Sequence, residues 1–247
     1  MGRDGGECYP KRMRPSRIPL LPLVVGLALP LPVVADEFGD RVRQYLLDNP
    51  QVILEALDVL AEREAAAKAA ESISQQAPVL FDPAWAEVLG DPAAPYRIVE
   101  LFDYKCLTCK AVRPTLEAFV AARPDVAVLI QHLPILGPQS DRAARAYLAV
   151  RRLEGPDAAA ALHDRLSGFP GVIRADVLAA FTAEIGLDPE TVEQEMYGAE
   201  VSQRVDAIRT AAIALGVTGT PVFLGENGVH QGAVTQEDLA RLLDEPG

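Results

Sequence analysis

The sequence predicts an α/β domain with a long helical insertion and a helical N-terminal arm. Three observations predict it. Residues 97–102 (RIVELF) and 126–131 (VAVLIQ) have the length and apolar composition of short buried strands, with a helical stretch between them. Residues 138–215 then hold only helical patterns. Residues 36–76 form a separate helical stretch that ends in an alanine-rich tract.

The chain has 247 residues, of which 49% are hydrophobic and 23% charged. That suffices for a buried core and excludes a disordered chain. A net charge of −12 without a basic patch argues against nucleic-acid binding. Three cysteines are too few for a disulfide-stapled scaffold.

Residues 1–17 carry Arg3, Lys11, Arg12, Arg14 and Arg17 against Asp4 and Glu7. Residues 18–34 are uncharged and apolar, and Val33-Val34-Ala35 suits a cut after Ala35. This is the plan of a secretory signal peptide and predicts export to the periplasm. The competing reading is a retained membrane anchor. Against it, the run is at the short limit for a span, and Pro19, Pro22, Pro30 and Pro32 interrupt it. No cysteine follows the run, so a lipoprotein anchor there is excluded. Cleavage also removes Cys8, leaving Cys106 and Cys109 in an oxidising compartment.

Along the mature chain, Asn49 is placed to cap a helix with Pro50 at its first position. Ile53, Leu57 and Leu60 recur at helical spacing, too briefly for a coiled coil. Glu64 precedes Lys68 by four residues, which supports a helix across residues 62–72. Gln75, Gln76 and Pro78 are expected to break it. The arm, residues 36–77, has no core of its own and must pack on the main domain, residues 78–247, or on another subunit. In that domain the strand 97–102 leads into a helix over 106–123, then the strand 126–131. Helices are expected at 140–153, 157–166, 174–185, 189–197 and 199–215. Residues 221–224 and 229–231 flank Gly225-Glu226-Asn227-Gly228, a hairpin turn. Thr235 and Asp238 suit the capping box of a last helix.

Chemistry concentrates at Cys106-Leu107-Thr108-Cys109. A cysteine at the start of a helix meets unpaired backbone N–H groups and the positive end of the helix dipole, which stabilise a thiolate. Two intervening residues place Cys106 outward and Cys109 one turn on, more buried. That yields an attacking sulfur and a resolving one. A pair three residues apart closes too small a loop to staple the fold. Structural zinc needs further ligands, and His132, His163 and His230 lie singly in the sequence, so no metal site is assigned. A Cu(I) pair suits soft thiolates and stays open. Trp85 and His132 read as packing residues; Asp103 and Tyr104 lie close by without an assigned role. Lys105 and Lys110 could add positive field, although both also suit solvent.

Cys106–Lys110 with Pro114 resembles the thioredoxin active-site helix, and Thr220-Pro221 in GVTGTPVF resembles the cis-proline loop that faces it. Cys109 and Pro221 stand 112 residues apart, filled with helices. That spacing, with VELFDYKC and LPILGPQSDRAARAYLAV, resembles the DsbA family of exported thiol–disulfide oxidoreductases. The arm FGDRVRQYLLDNPQVILEALDVLAERE resembles the N-terminal segment of ScsC-type members. The resemblance implies a thioredoxin fold with an inserted helical domain at about residues 138–215. It further implies Cys106 and Cys109 as the redox pair, with Thr220, Pro221, Leu107 and Thr108 facing substrate. Glu100, on the strand face shared with Phe102, is implied to sit near the buried cysteine and move its proton. No cofactor is required. The implied partners are cysteine-bearing substrate proteins, a membrane redox partner, and further copies of the chain, as a dimer or trimer through residues 36–76. Threonine at 108 departs from the histidine of DsbA itself. Without that positive charge the Cys106 thiolate is expected to be less stabilised and the pair less oxidising, which with the arm favours isomerase or reductase over oxidase. The alternative is a copper-handling protein that holds Cu(I) on the same thiols.

Overall fold

The computed structural model describes residues 35–243 except Asn227; the expected signal peptide up to residue 34, with Cys8, lies outside the described residues. The chain divides into two compact units, residues 1–53 and 54–247.

In the first unit, α1 (Ala35–Asp48) ends at Asn49. The Asn49 side chain donates to the Tyr45 carbonyl, 3.0 Å away. It therefore closes α1 rather than capping the next helix, whose first turn uses the Asn49 carbonyl as acceptor for Val52 N. That helix, α2 (Gln51–Leu80), begins in this unit.

In the second unit, α2 runs through Gln75, Gln76 and Pro78, where the sequence predicted a break. Proline inside a helix removes one hydrogen bond. Here the last turn is held from outside. Arg204 donates to the Val79 carbonyl and Gln131 to the Leu80 and Asp82 carbonyls, while Ile73 and Leu80 are buried. The chain continues as β1 (Glu87–Leu89), β2 (Tyr96–Phe102), α3 (Leu107–Ala122) and β3 (Val126–His132). The helices α4 (Pro138–Glu154), α5 (Pro156–Gly168), α6 (Ala175–Glu184), α7 (Pro189–Met196) and α8 (Ala199–Ala214) follow. The unit closes with β4 (Val222–Gly225), β5 (Gly228–Gln231) and α9 (Gln236–Arg241). At three residues, β1 is too short to show an alternation, and the sequence reading passed over it.

The sheet order is β1-β3-β2-β4-β5. β2 and β3 are parallel, with Glu100 opposite Ile130; β4 runs antiparallel to β2, with Phe223 opposite Glu100. Alternation along β2 sends Ile98 and Phe102 to one core and Val99 and Leu101 to the other. The first core takes Cys109, Val112, Leu116 and Phe119 of α3, Tyr147, Leu148 and Val150 of α4, Leu162 and Leu166 of α5, and Val192 and Met196 of α7. The second takes Ile73 and Leu80 of α2 and Ile208, Ala211 and Ala212 of α8. α8 also supplies Val201 and Val205 to the first core, so the helical insertion touches both faces. The box at α9 forms as expected: Asp238 N donates to Thr235 Oγ1 and Thr235 N to Asp238 Oδ2.

Candidate active site

β2 ends at Phe102, and the next four residues set the geometry of the cysteines. Asp103 is buried and accepts from Lys105 N, Ile135 N, Leu136 N and Ser140 Oγ, at 2.6–3.0 Å. Cys106 N in turn donates to the Asp103 carbonyl. This locks the strand-to-helix turn against the loop after β3. Cys106 is the N-cap of α3, and its sulfur accepts from Cys109 N at 3.1 Å. One of the unpaired donors of the first helical turn therefore points at the sulfur, as the sequence required.

The loop before β4 arrives on the other side. The Thr220–Pro221 peptide is cis. The Cys106 thiol donates to the Thr220 carbonyl at 3.2 Å. Two segments more than a hundred residues apart thus meet at one sulfur. Both cysteines are free thiols. Cys106 is less outward than expected, at 6% exposure against 1% for Cys109. The loop carrying Thr220 covers it, and the side chain that projects into solvent is Leu107, at 81%. Thr108 and Lys105 are exposed too, and Lys110 is half-buried.

Glu100 is fully buried, not a strand-end carboxylate in water. It lines a cavity of about 120 Å³ together with Cys109, Lys110, Arg113 and His163. Burial raises its pKa to about 8, against a smaller lowering by Arg113 and a further rise from Glu87. The Cys109 thiol is pushed up as well, first by burial, then by its hydrogen bond with Cys106; the charge of Glu100 adds to this, while the Asp103 backbone and Thr220 oppose it.

Behind the cysteines lies a polar cluster that the sequence did not disclose. The Arg113 guanidinium pairs with Glu87 at 2.6 Å and Glu117 at 2.7 Å. His163 Nδ1 lies 3.2 Å from Glu87 Oε2 and 3.1 Å from the Tyr104 hydroxyl. Tyr104 also reaches His132 Nε2 at 3.0 Å, and His132 stacks on Tyr147 with ring centroids 3.9 Å apart. His132 and His163, apart in sequence, are thus neighbours. Burial keeps both neutral, lowering the His163 pKa to about 3 and that of His132 well below the usual imidazole range. A helical-wheel signal existed for Arg113, four residues after Cys109. None existed for Glu87 or His163. Among the described residues, no group of three or more His, Cys, Asp or Glu side chains is arranged to hold a metal ion.

The family model of the DSBA-like thioredoxin domain matches residues 97–244, and that of the copper resistance protein ScsC N-terminal domain matches residues 36–67. A Proteus mirabilis ScsC variant with a linker deletion is 25% identical, with a TM-score of 0.61, over 88% of this chain and 96% of that one. A thioredoxin-like oxidoreductase from Silicibacter pomeroyi is 34% identical, with a TM-score of 0.60, over 67% and 94%. A periplasmic thioredoxin-like protein from Salmonella enterica serovar Typhimurium is 29% identical, with a TM-score of 0.55, over 68% and 93%. No curated protein sequence matches this chain. The chain belongs to the DSBA-like thioredoxin family of thiol–disulfide oxidoreductases and carries a ScsC-type N-terminal segment.

Proposed function

We propose that this protein is exported to the periplasm and exchanges disulfides with cysteine-bearing proteins, acting as an isomerase or reductase rather than as a strong oxidase. The observation that carries this reading is the Cys106 sulfur, held between Cys109 N and the Thr220 carbonyl. In the exchange, the Cys106 thiolate attacks a substrate disulfide. A mixed disulfide forms and one substrate sulfur leaves as thiolate. Ionisation of Cys106 withdraws its proton from the Thr220 carbonyl, which then accepts an N–H from the substrate backbone beside Pro221. Leu107 and Thr108 contact the substrate side chains. Cys109 gives its proton to Glu100 and attacks Cys106; the Cys106–Cys109 disulfide forms and the second substrate sulfur is released.

The direction follows from two features. Thr108 supplies no positive charge to the thiolate, so reduced protein is not strongly favoured. The arm presents Phe38, Val42 and Tyr45 in α1, and Ile53, Leu57 and Leu60 in α2, each exposed and at helical spacing. Exposed apolar residues at such spacing on each helix suit assembly into a dimer or trimer, which places several cysteine pairs around one misfolded substrate. A membrane redox partner would reset the pair. Scrambled-ribonuclease and insulin-reduction assays, with the reduction potential of the pair, test this. A potential near −200 mV with isomerase turnover is expected; one well above about −150 mV points to an oxidase.

A second reading rests on the match of residues 36–67 to the copper resistance protein ScsC N-terminal domain. Two soft thiolates at Cys106 and Cys109 suit Cu(I) as cargo. Tight Cu(I) binding by the reduced protein, without turnover in either assay, would favour it.

A further inference from the structure

The cavity beside Cys109 is ringed by titratable groups from several elements. Glu100 comes from β2, Lys110 and Arg113 from α3, and His163 from α5; Glu87 of β1 reaches the site through Arg113. Three buried atoms there lack a hydrogen-bond partner among the described residues: Glu100 Oε1, Arg113 Nη1 and Glu87 Oε2. For Glu87 Oε2 the neighbouring atom is His163 Nδ1 at 3.2 Å, so a bond forms only when one of the two carries a proton directed at the other. Arg113 thus bonds one oxygen of Glu87 and one of Glu117, and acts on Glu100 through its charge alone. The cavity has room for the water that such polar groups hold.

We propose that Arg113, held by Glu87, is a positioning residue for the proton of the resolving step: their opposed charges, beside the cavity that Glu100 and Cys109 share, set the pH at which Glu100 takes the Cys109 proton. The proposal rests on the exchange reading above. The step balances as follows. The Cys109 proton passes to the Glu100 carboxylate. The Cys109 thiolate attacks the Cys106 sulfur, the mixed disulfide breaks, and the departing thiolate takes a proton from solvent. Glu100 then releases its own proton through the cavity. No outside oxidant is consumed beyond the disulfide being reduced.

The two charges act in opposite directions, and this separates the proposal from a merely structural role. Glu87→Gln removes a negative charge and frees Arg113 for Glu100, so Glu100 should lose its proton at lower pH. Arg113→Met removes the positive charge and should move the same event to higher pH. Arg113→Lys keeps the charge and should bring the profile back toward the wild type.

The experiment mixes reduced full-length protein with oxidised glutathione, quenches in acid, and follows the Cys106–glutathione adduct and the internal disulfide by mass spectrometry from pH 5 to 10. The wild-type resolving rate should turn over near pH 8. The turnover should move down in Glu87→Gln and up in Arg113→Met, each by about one pH unit or more. Should Arg113→Met fail to fold, Glu87→Gln and Arg113→Lys still decide the matter. Shifts in a common direction, or no shift in Glu87→Gln, overturn the proposal while leaving the exchange reading in place. Absence of any adduct on wild-type Cys106 overturns both.

Discussion

The sulfur of Cys106 and the carbonyl oxygen of Thr220 lie 3.2 Å apart, across 114 positions of the chain. The contact ties the reactive sulfur to the loop that would receive a substrate backbone. It also makes the two cysteines unequal. Cys106 keeps 6% exposure beside the exposed Leu107 and Thr108, whereas Cys109 is buried at 1% against the core. Cys106→Ser should abolish exchange with oxidised glutathione. Cys109→Ser should instead accumulate a stable mixed disulfide on Cys106, seen by intact mass. Equal adducts on both sulfurs of the wild type would contradict this asymmetry.

Leu107 stands in solvent immediately after the nucleophile. Covering a leucine side chain is worth about 1.5–3 kcal/mol. Leu107→Ala should therefore raise KM for an unfolded protein substrate by about tenfold. It should leave the rate with glutathione and the melting temperature unchanged. A slowed glutathione reaction would show that the side chain acts on the sulfur itself.

Glu100 has a pKa near 8 in the folded protein against an ordinary 4.5. A carboxyl group raised in this way holds its proton more tightly when folded. Stability from it is complete below about pH 4.5 and is lost as pH rises through 8. Glu100→Gln should thus stabilise the protein at pH 9 and change little at pH 4.5, read as denaturant midpoints. An equal gain at both pH values would contradict the assignment.

His132 and His163 act in the opposite sense. Their folded values lie below the ordinary 6.5, so the unfolded chain binds protons more readily. Their contribution is complete above about pH 6.5 and falls away as pH drops toward 3. Glu100 gains stability over part of this window, so the effect is best read in the Glu100→Gln background. There the melting temperature should fall steadily from pH 7 to pH 4. A flat profile would mean that the two rings are charged, or exposed, in the folded state.

The arm offers its apolar stripe at Leu57 and Leu60, while Ile73 further along α2 is buried in the core. Truncation through residue 76 would therefore damage the fold along with any assembly. Leu57→Glu with Leu60→Glu is the cleaner test. By light scattering, the wild type should be an oligomer and the variant a monomer with unchanged melting of the domain. A monomeric wild type would refute oligomerisation through the arm.

What the sequence by itself determined was local. The start of α3 at a cysteine, the shared side of Glu100 and Phe102, and the box at Thr235 and Asp238 all follow from turn, alternation and capping rules acting over a few residues. Tertiary structure decided the rest. Glu100 is buried because α3 closes over it and Ile130 and Phe223 flank it from neighbouring strands. Helix α2 passes Pro78 because Arg204 and Gln131, from distant segments, hold its last carbonyls. Glu87 joins Arg113 and His163 from a strand too short to announce itself. Periodicity is written by neighbours along the chain, whereas burial and charge pairing come from neighbours in space, which no local pattern encodes.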